Sequence, residues 1–172
     1  MDTQHSSIGG APKAVVRGYR PSDEDQVIDV WARAAQAAHP FLDGEGRGAR
    51  ERKMREVYLV QADNWVAEVP GDGVVGLLGM LGAEIGGLFV APEAQGRGIG
   101  RLLVEHAAAL HGEVTLEVYE RNLSARHFYE LMGFRETGRR ADEENGGHVL
   151  IALHRPLLPA HGSAAARPAG SA

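Results

Sequence analysis

The stretch GGLFVAPEAQGRGIGRLLVEHA, residues 86–107, decides how the rest of the chain reads. An apolar, strand-like segment runs into a turn with glycine at 96, 98 and 100 and arginine at 97 and 101, and a helical pattern follows at once. A strand ending at Pro92 and a helix starting near Ile99 leave the first amide N–H groups of that helix unpaired and pointing outward. Those donors sit at the positive end of the helix dipole and favour an anion. Glycines let the backbone approach a phosphate closely and take positive φ, while Arg97 and Arg101 add permanent charge. The dinucleotide fingerprint fails, because a Gly-x-Gly-x-x-Gly starting at Gly96 needs glycine where Arg101 stands. The P-loop fails too, since the chain has no Gly-Lys-Ser/Thr.

Outward from this loop the apolar spacing alternates between two periods. AVVRGYRP reads as a strand closed by Pro21, and Ser22 is expected to cap a helix whose first turn is acidic. Val27, Val30, Trp31, Ala34, Ala35 and Ala38 keep helical spacing until His39 and Pro40 stop the run. A Gly-rich break, DGEGRG, precedes a charged amphipathic helix from about Ala49 to Val60. NWVAEV, GVVGLLGML and AEIGGLFVAP then read as three successive strands, the first two joined by the turn PGDG. Beyond the loop, Ile99, Leu102, Leu103, Ala107 and Leu110 form one apolar stripe on a helix ending at Gly112. EVTLEVYE is a strand of alternating type, NLSARHFYELMG a capped helix ending at Gly133, and GHVLIALHRP a final strand. The predicted order is β-α-α-β-β-β-α-β-α-β-β, an α/β (α+β) chain with a mixed sheet covered by helices.

Composition narrows the function. With 172 residues and 44% apolar content the chain has material for one sizeable core, so residues 13–156 are expected to form one domain. The ends, residues 1–12 and 157–172, are too poor in large apolar groups to offset the entropy of ordering and read as disordered tails. The absence of cysteine excludes disulfides, thiolate zinc sites and a cysteine nucleophile. His106 and His111, five apart, have the wrong spacing to share a metal on one helical face, so no metal site is expected. Neither an export leader nor an apolar run of the ~18–20 residues needed to span a bilayer is legible, which points to a cytoplasmic protein without a membrane partner. The formal charge of −5 argues against nucleic-acid binding and suits a cationic or amine-bearing partner.

Two blocks carry a family resemblance. GGLFVAPEAQGRGIGRLLVEHA resembles the cofactor-binding motif of the GCN5-related N-acetyltransferases (GNAT), whose Gln/Arg-x-x-Gly-x-Gly/Ala pattern is met by Gln95, Gly98 and Gly100. LEVYERNLSARHFYELMGF resembles the strand, asparagine-capped helix and Tyr-x-x-x-Gly-Phe ending of the same family, at the spacing the family shows. The segments AHPF, NWVAE and VVGLLGM further resemble its small single-domain bacterial members. The resemblance implies a mixed, mostly antiparallel sheet of six to seven strands with helices on both faces. It implies acetyl-CoA as cofactor, with the diphosphate over the backbone of Gly96, Arg97, Gly98, Ile99, Gly100 and Arg101. It also implies a pantetheine arm paired like an extra strand with Leu88, Phe89 and Val90, and contact to the cofactor from Asn122, which also reads as a helix N-cap.

Acyl transfer to an amine needs a proton acceptor for the ammonium, polarisation of the carbonyl and a proton for the departing thiolate. Tyr129 coincides with the family tyrosine and is the candidate acid; helical spacing puts Phe128, Leu131 and Met132 on the core stripe and Tyr129 to one side with Asn122 and Ala125. Two glutamates are candidate bases. Glu84 matches the position used by the histone-acetylating branch, and Glu117 that of the branch acetylating protein amino termini. Alternation puts Glu117 with Thr115 and Tyr119 on one strand face and Val114, Leu116 and Val118 on the other. His39 lies where the family shapes its acceptor pocket, and Arg135, Arg139 and Arg140 are either a reach toward the ribose phosphate or a solvated basic edge. The expected enzyme transfers acetyl from acetyl-CoA to a primary amine of a small molecule or protein in a ternary complex, as a monomer or homodimer. The alternative is a non-catalytic acetyl-CoA-binding sensor.

Overall fold

The computed structural model describes residues 13–41 and 47–157. Of the tails expected at 1–12 and 157–172, all but Leu157 lie outside the described residues, as does most of the Gly-rich break. Strands β1 (Val15–Gly18), β2 (Asp63–Val69), β3 (Gly73–Leu81), β4 (Glu84–Val90), β5 (Val114–Tyr119), β6 (Arg135–Asp142) and β7 (His148–Arg155) form one sheet in the order β1-β2-β3-β4-β5-β7-β6. Every neighbouring pair is antiparallel except β4 and β5. Helices α1 (Glu24–Ala38), α2 (Arg47–Lys53), α3 (Leu59–Gln61), α4 (Ile99–His111) and α5 (Leu123–Leu131) complete the fold, with a π-helical turn, Met54–Tyr58, joining α2 to α3. No helix among the described residues is long and apolar enough to cross a membrane.

Alternation along the central strands divides the core. Val66, Val74 and Leu77 join Val27 and Ile28 of α1 with Met54 and Leu59 beneath the π turn. Ala67, Val75, Leu78 and Met80 join Ile99, Leu103, Val104 and Ala107 of α4. Since successive residues of a strand point to opposite faces, β2 and β3 are covered on both sides, with α1 over one face and α4 over the other. Their near-continuous apolar sequence follows from that double burial.

Three expectations change. Ser22 does not cap α1. A 3-10 turn, Pro21–Asp23, precedes the helix, and Asp23 reaches back to accept the Arg20 amide at 2.8 Å. A carboxylate outcompetes the hydroxyl because it also takes both terminal nitrogens of Arg17, at 2.8 and 2.9 Å. On α4 the inward stripe uses Val104, whereas Leu102 and Leu110 are 43% and 47% exposed. On α5 Leu131 is 74% exposed and Tyr129 is the buried residue, with Ala125, Phe128 and Met132 partly buried beside it. In both helices the stripe is rotated because the sheet beneath presents its apolar side chains at an angle that residue spacing alone does not encode.

Asp23 is 5% exposed, and its hydrogen bonds from Arg17, against the cost of burial, hold its carboxyl below the usual aspartate range. A depressed folded-state pKa stabilises the fold at pH values above about 3.9, and this contribution is lost as pH falls from there through the folded value. We expect Asp23→Asn to cost about 2–4 kcal/mol at pH 7 and the difference from wild type to shrink below pH 4, as measured by urea unfolding.

Candidate functional site

The glycine loop has the conformation its sequence required. Gly98 is the N-cap of α4 with φ of 79°, and Gly96 has φ of 77°, both left-handed values that a side chain would strain. Gly100 serves a different need, because a Cβ there would lie 3.2 Å from the ring of Phe128 on α5. Among the described residues, none accepts a hydrogen bond from the amides of residues 96–101; the first amide of α4 with a partner is Leu102, bonded to the Gly98 carbonyl at 3.0 Å. Arg101 is exposed, and Arg97 makes only a loose 3.4 Å pair with Asp72. A row of free donors flanked by two guanidiniums, with open space beside Gly96 and Gly98, is the environment a diphosphate needs.

The second feature is a parting of strands. β4 and β5 run parallel and pair only at Glu84↔Thr115 and Ile85↔Leu116. From Gly86 to Val90, a run of about 16 Å, β4 keeps β3 on one side and has no strand on the other among the described residues. The sheet therefore opens as a V toward the glycine loop. Leu88, Phe89 and Val90 line its β4 arm, half-buried, and the Val90 carbonyl meets the Gln95 side chain at 3.4 Å. An open backbone edge of this kind accepts an extended, amide-bearing arm as an added strand.

Asn122 accepts the Ala125 amide at 3.2 Å and so caps α5, leaving its side-chain NH2 free to face the ring of His39 at 3.5 Å. Tyr129, two turns along α5, packs edge-on against Phe128 and Phe134. Its hydroxyl bonds to no described residue, yet it is not among the fully enclosed unpartnered side-chain atoms, so it keeps access to solvent. Burial pushes its phenol well above the ordinary range, so Tyr129 holds its proton at neutral pH.

Glu117 lies opposite the buried Val114, Leu116 and Val118, as the alternation of β5 predicted, and the Glu84↔Thr115 register puts Glu84 on the same sheet face. Glu84 is exposed at the closed end of the V. Glu117 is held by a two-pronged fork from Arg140, at 2.7 and 2.8 Å. Arg139 is likewise engaged, by Glu136 and Glu120. Arg139 and Arg140 of β6 are thus neutralised by glutamates, whereas Arg135 is exposed and makes no ion pair among the described residues.

Sequence reasoning missed the cluster next to this face. The rings of His39, Phe41, Tyr119 and His148 meet edge-on at centroid distances of 4.9–5.9 Å. Arg121 lies over Phe41, 5.4 Å from its centroid. Tyr119 donates to Asp142 at 2.5 Å, and Asn145 does so at 2.9 Å. Burial raises the Asp142 carboxyl, but these two donors outweigh it and hold the net value low; burial and the same bond to Asp142 push the Tyr119 phenol up. Phe41, two residues after His39 in AHPF, was the available clue. Asp142 gave none, because only the β5-β7-β6 register carries it across to Tyr119.

A loop of free amides, an opened parallel strand pair and a capped helix bearing a protonated phenol are together the features an acyl carrier would engage. The acetyltransferase (GNAT) domain model matches residues 58–136, and the chain belongs to the GNAT acetyltransferase family; it is an N-acetyltransferase. It is 36% identical over 131 residues to the peptidyl-lysine N-acetyltransferase YjaB of Escherichia coli K12, covering 76% of this chain and 88% of YjaB. It is 31% identical over 121 residues to the peptidyl-lysine N-acetyltransferase YiaC of the same organism, covering 70% of this chain and 82% of YiaC. The solution structure of apo YjaB superposes with a TM-score of 0.74 at 34% identity, over 83% of this chain and 97% of that one. The PaiA N-acetyltransferase of Thermoplasma acidophilum, solved in complex with coenzyme A, shares the fold at 16% identity, with a TM-score of 0.65 over 84% of this chain and 99% of that one.

Tyr119→Phe leaves the buried Asp142 carboxylate short of one donor. We expect a loss of about 1–3 kcal/mol in urea unfolding and an upward move of the Asp142 carboxyl titration followed by NMR.

Proposed function

We propose that this chain is a single acetyltransferase domain, over residues 13–156, that uses acetyl-CoA to acetylate lysine side chains of proteins. The observation that carries the reading is the set of free amides at 96–101 standing at the mouth of the V between β4 and β5. A diphosphate over Gly96, Arg97, Gly98, Ile99, Gly100 and Arg101 would satisfy those donors, and the Arg97 and Arg101 side chains would balance its charge. A pantetheine arm along Leu88, Phe89 and Val90 would fill the edge that no strand covers, with Asn122 and Gln95 as flanking donors. Acetyl-CoA brings the electrophilic thioester carbonyl. Lysine as acceptor is supported by YjaB and YiaC, both peptidyl-lysine N-acetyltransferases, and by the overall negative charge of this chain, which favours a cationic partner.

The chain's residues divide the remaining work. Tyr129, its proton retained by burial, protonates the departing thiolate. Backbone pairing along β4 fixes the thioester against the acceptor, and such positioning supplies much of the rate in a direct transfer. Glu84 and Glu117 are second-rank proton acceptors: Glu84 stands in solvent, and Glu117 must first leave its Arg140 fork.

Incubation with acetyl-CoA and a panel of lysine peptides, followed by mass spectrometry, is expected to give acetyl-lysine products. Tight coenzyme binding with no acetylated amine of any kind would overturn the enzyme reading. Tyr129→Phe is expected to lower kcat by about 10²-fold or more while the Kd for coenzyme A changes less than threefold, as calorimetry would measure. Equal losses in both would make Tyr129 structural.

A further inference from the structure

The charged groups on the acceptor side of the V are nearly all committed to one another. Glu117 is forked to Arg140, Glu120 pairs with Arg139, and Asp142 accepts from Tyr119 and Asn145. Glu84 is exposed where β4 and β5 still pair. His148 reaches the cluster only through Phe41. One group stands differently. His39 ends α1, its amide bonded to the Ala35 carbonyl at 2.8 Å, and its half-buried ring rests edge-on against Tyr119 at 5.2 Å and Phe41 at 5.9 Å. Its Nε2 lies 3.5 Å from the Asn122 side-chain nitrogen, at the limit of a hydrogen bond. That nitrogen only donates, because the Asn122 oxygen is the atom capping α5, so a hydrogen bond at this contact uses the Nε2 lone pair and requires the ring proton on Nδ1. The long contact leaves the lone pair weakly used and aimed at the N-terminus of the helix that carries Tyr129. Tyr129 follows Asn122 by seven residues, about 10 Å of helix rise, so the imidazole stands beside the start of α5 and the phenol two turns along it.

Resting on the reading of this site as a lysine acetyltransferase, we propose that His39 is the general base, its Nε2 taking the proton that the acceptor ammonium must lose before attack. One ammonium proton passes to Nε2, giving imidazolium and a neutral amine. The amine nitrogen bonds to the acetyl carbon as the carbon–sulfur bond breaks, and its second proton replaces the one Tyr129 gives to the sulfur. The imidazolium then releases its proton to water. Ammonium and thioester become amide, thiol and one proton.

The surroundings suit the role. The helix C-terminus favours a charged ring, and Asp142 lies behind Tyr119, but both are outweighed by burial first and by Arg50 of α2 second, so His39 titrates below the usual histidine range. Arg121, over Phe41, adds a further cation to this side, and His148 on β7 and Tyr119 on β5 complete the titratable groups facing the ring cluster. His39 is therefore a free base at neutral pH, able to accept a proton and to shed it again after each turnover.

The test is the pH profile of kcat/KM for wild type, His39→Gln and His39→Asn, with a lysine peptide and acetyl-CoA. Wild type should rise below about pH 6.5 and then level, because the ammonium form is the substrate and the base is already free. Each variant should lose about 10²–10⁴-fold at pH 7, with its rising limb moved toward the lysine value near 10.4, while coenzyme A raises Tm as it does in wild type. A variant within threefold of wild type at pH 7, or one reduced equally at every pH, overturns the proposal and leaves the lysine reading intact. If wild type ignores lysine peptides but acetylates another primary amine, the lysine reading fails and the same profiles on that amine decide His39. Should neither variant fold, the His39 ring in wild type is titrated by NMR: a midpoint more than one pH unit from the acid limb of kcat/KM overturns the assignment.

Discussion

The arrangement depends on a pairing that stops. Among the described residues β4 and β5 are the only parallel neighbours in the sheet, and they hold each other for two register positions before separating. A parallel pair requires a crossover between its strands, and here the crossover is α4, whose start is the glycine loop. The turn that begins the crossover and the gap left by the separating strands therefore open to the same side. An exposed backbone edge and a set of free helix amides lie within ten residues of each other for a topological reason, and a carrier with an amide-bearing arm and a diphosphate can use both at once.

Burial does the rest of the tuning. The Tyr129 phenol keeps its proton because the core around Phe128 and Phe134 disfavours its anion, whereas His39 stays neutral because burial disfavours its cation. Burial thus acts in opposite chemical directions on the two groups. Tyr119 and Asp142 provide the scaffold for the second group. Their hydrogen bond fixes the ring against which His39 leans, and Asn145 supplies another donor to the carboxylate.

Much of this was legible in the sequence. The loop and six of the seven strands followed from turn residues and period changes, since Gly, Pro and alternating apolar residues act locally. The apolar character of β2 and β3 was readable for the same reason. β6 was anticipated only in the element order, because RETGRRAD is charged and shows no apolar alternation; it is an edge strand whose partners are its neighbour β7 and its own ion pairs. Ser22 and Leu131 were misread because a competing carboxylate and the tilt of a helix on its sheet are tertiary facts. The aromatic cluster was hidden for a related reason, its members being contributed by the end of α1, the segment after it, β5 and β7. Periodicity within one element carries no information about which four elements converge.

The contact between Gly100 and Phe128 ties two helices that the chain separates by a whole strand. Any methyl group added at position 100 presses on the ring next to Tyr129, so the glycine loop and the helix that carries Tyr129 are in direct contact. An alanine at 100 therefore asks the Phe128 ring to yield by a few tenths of an ångström, and a smaller side chain at 128 would remove that demand.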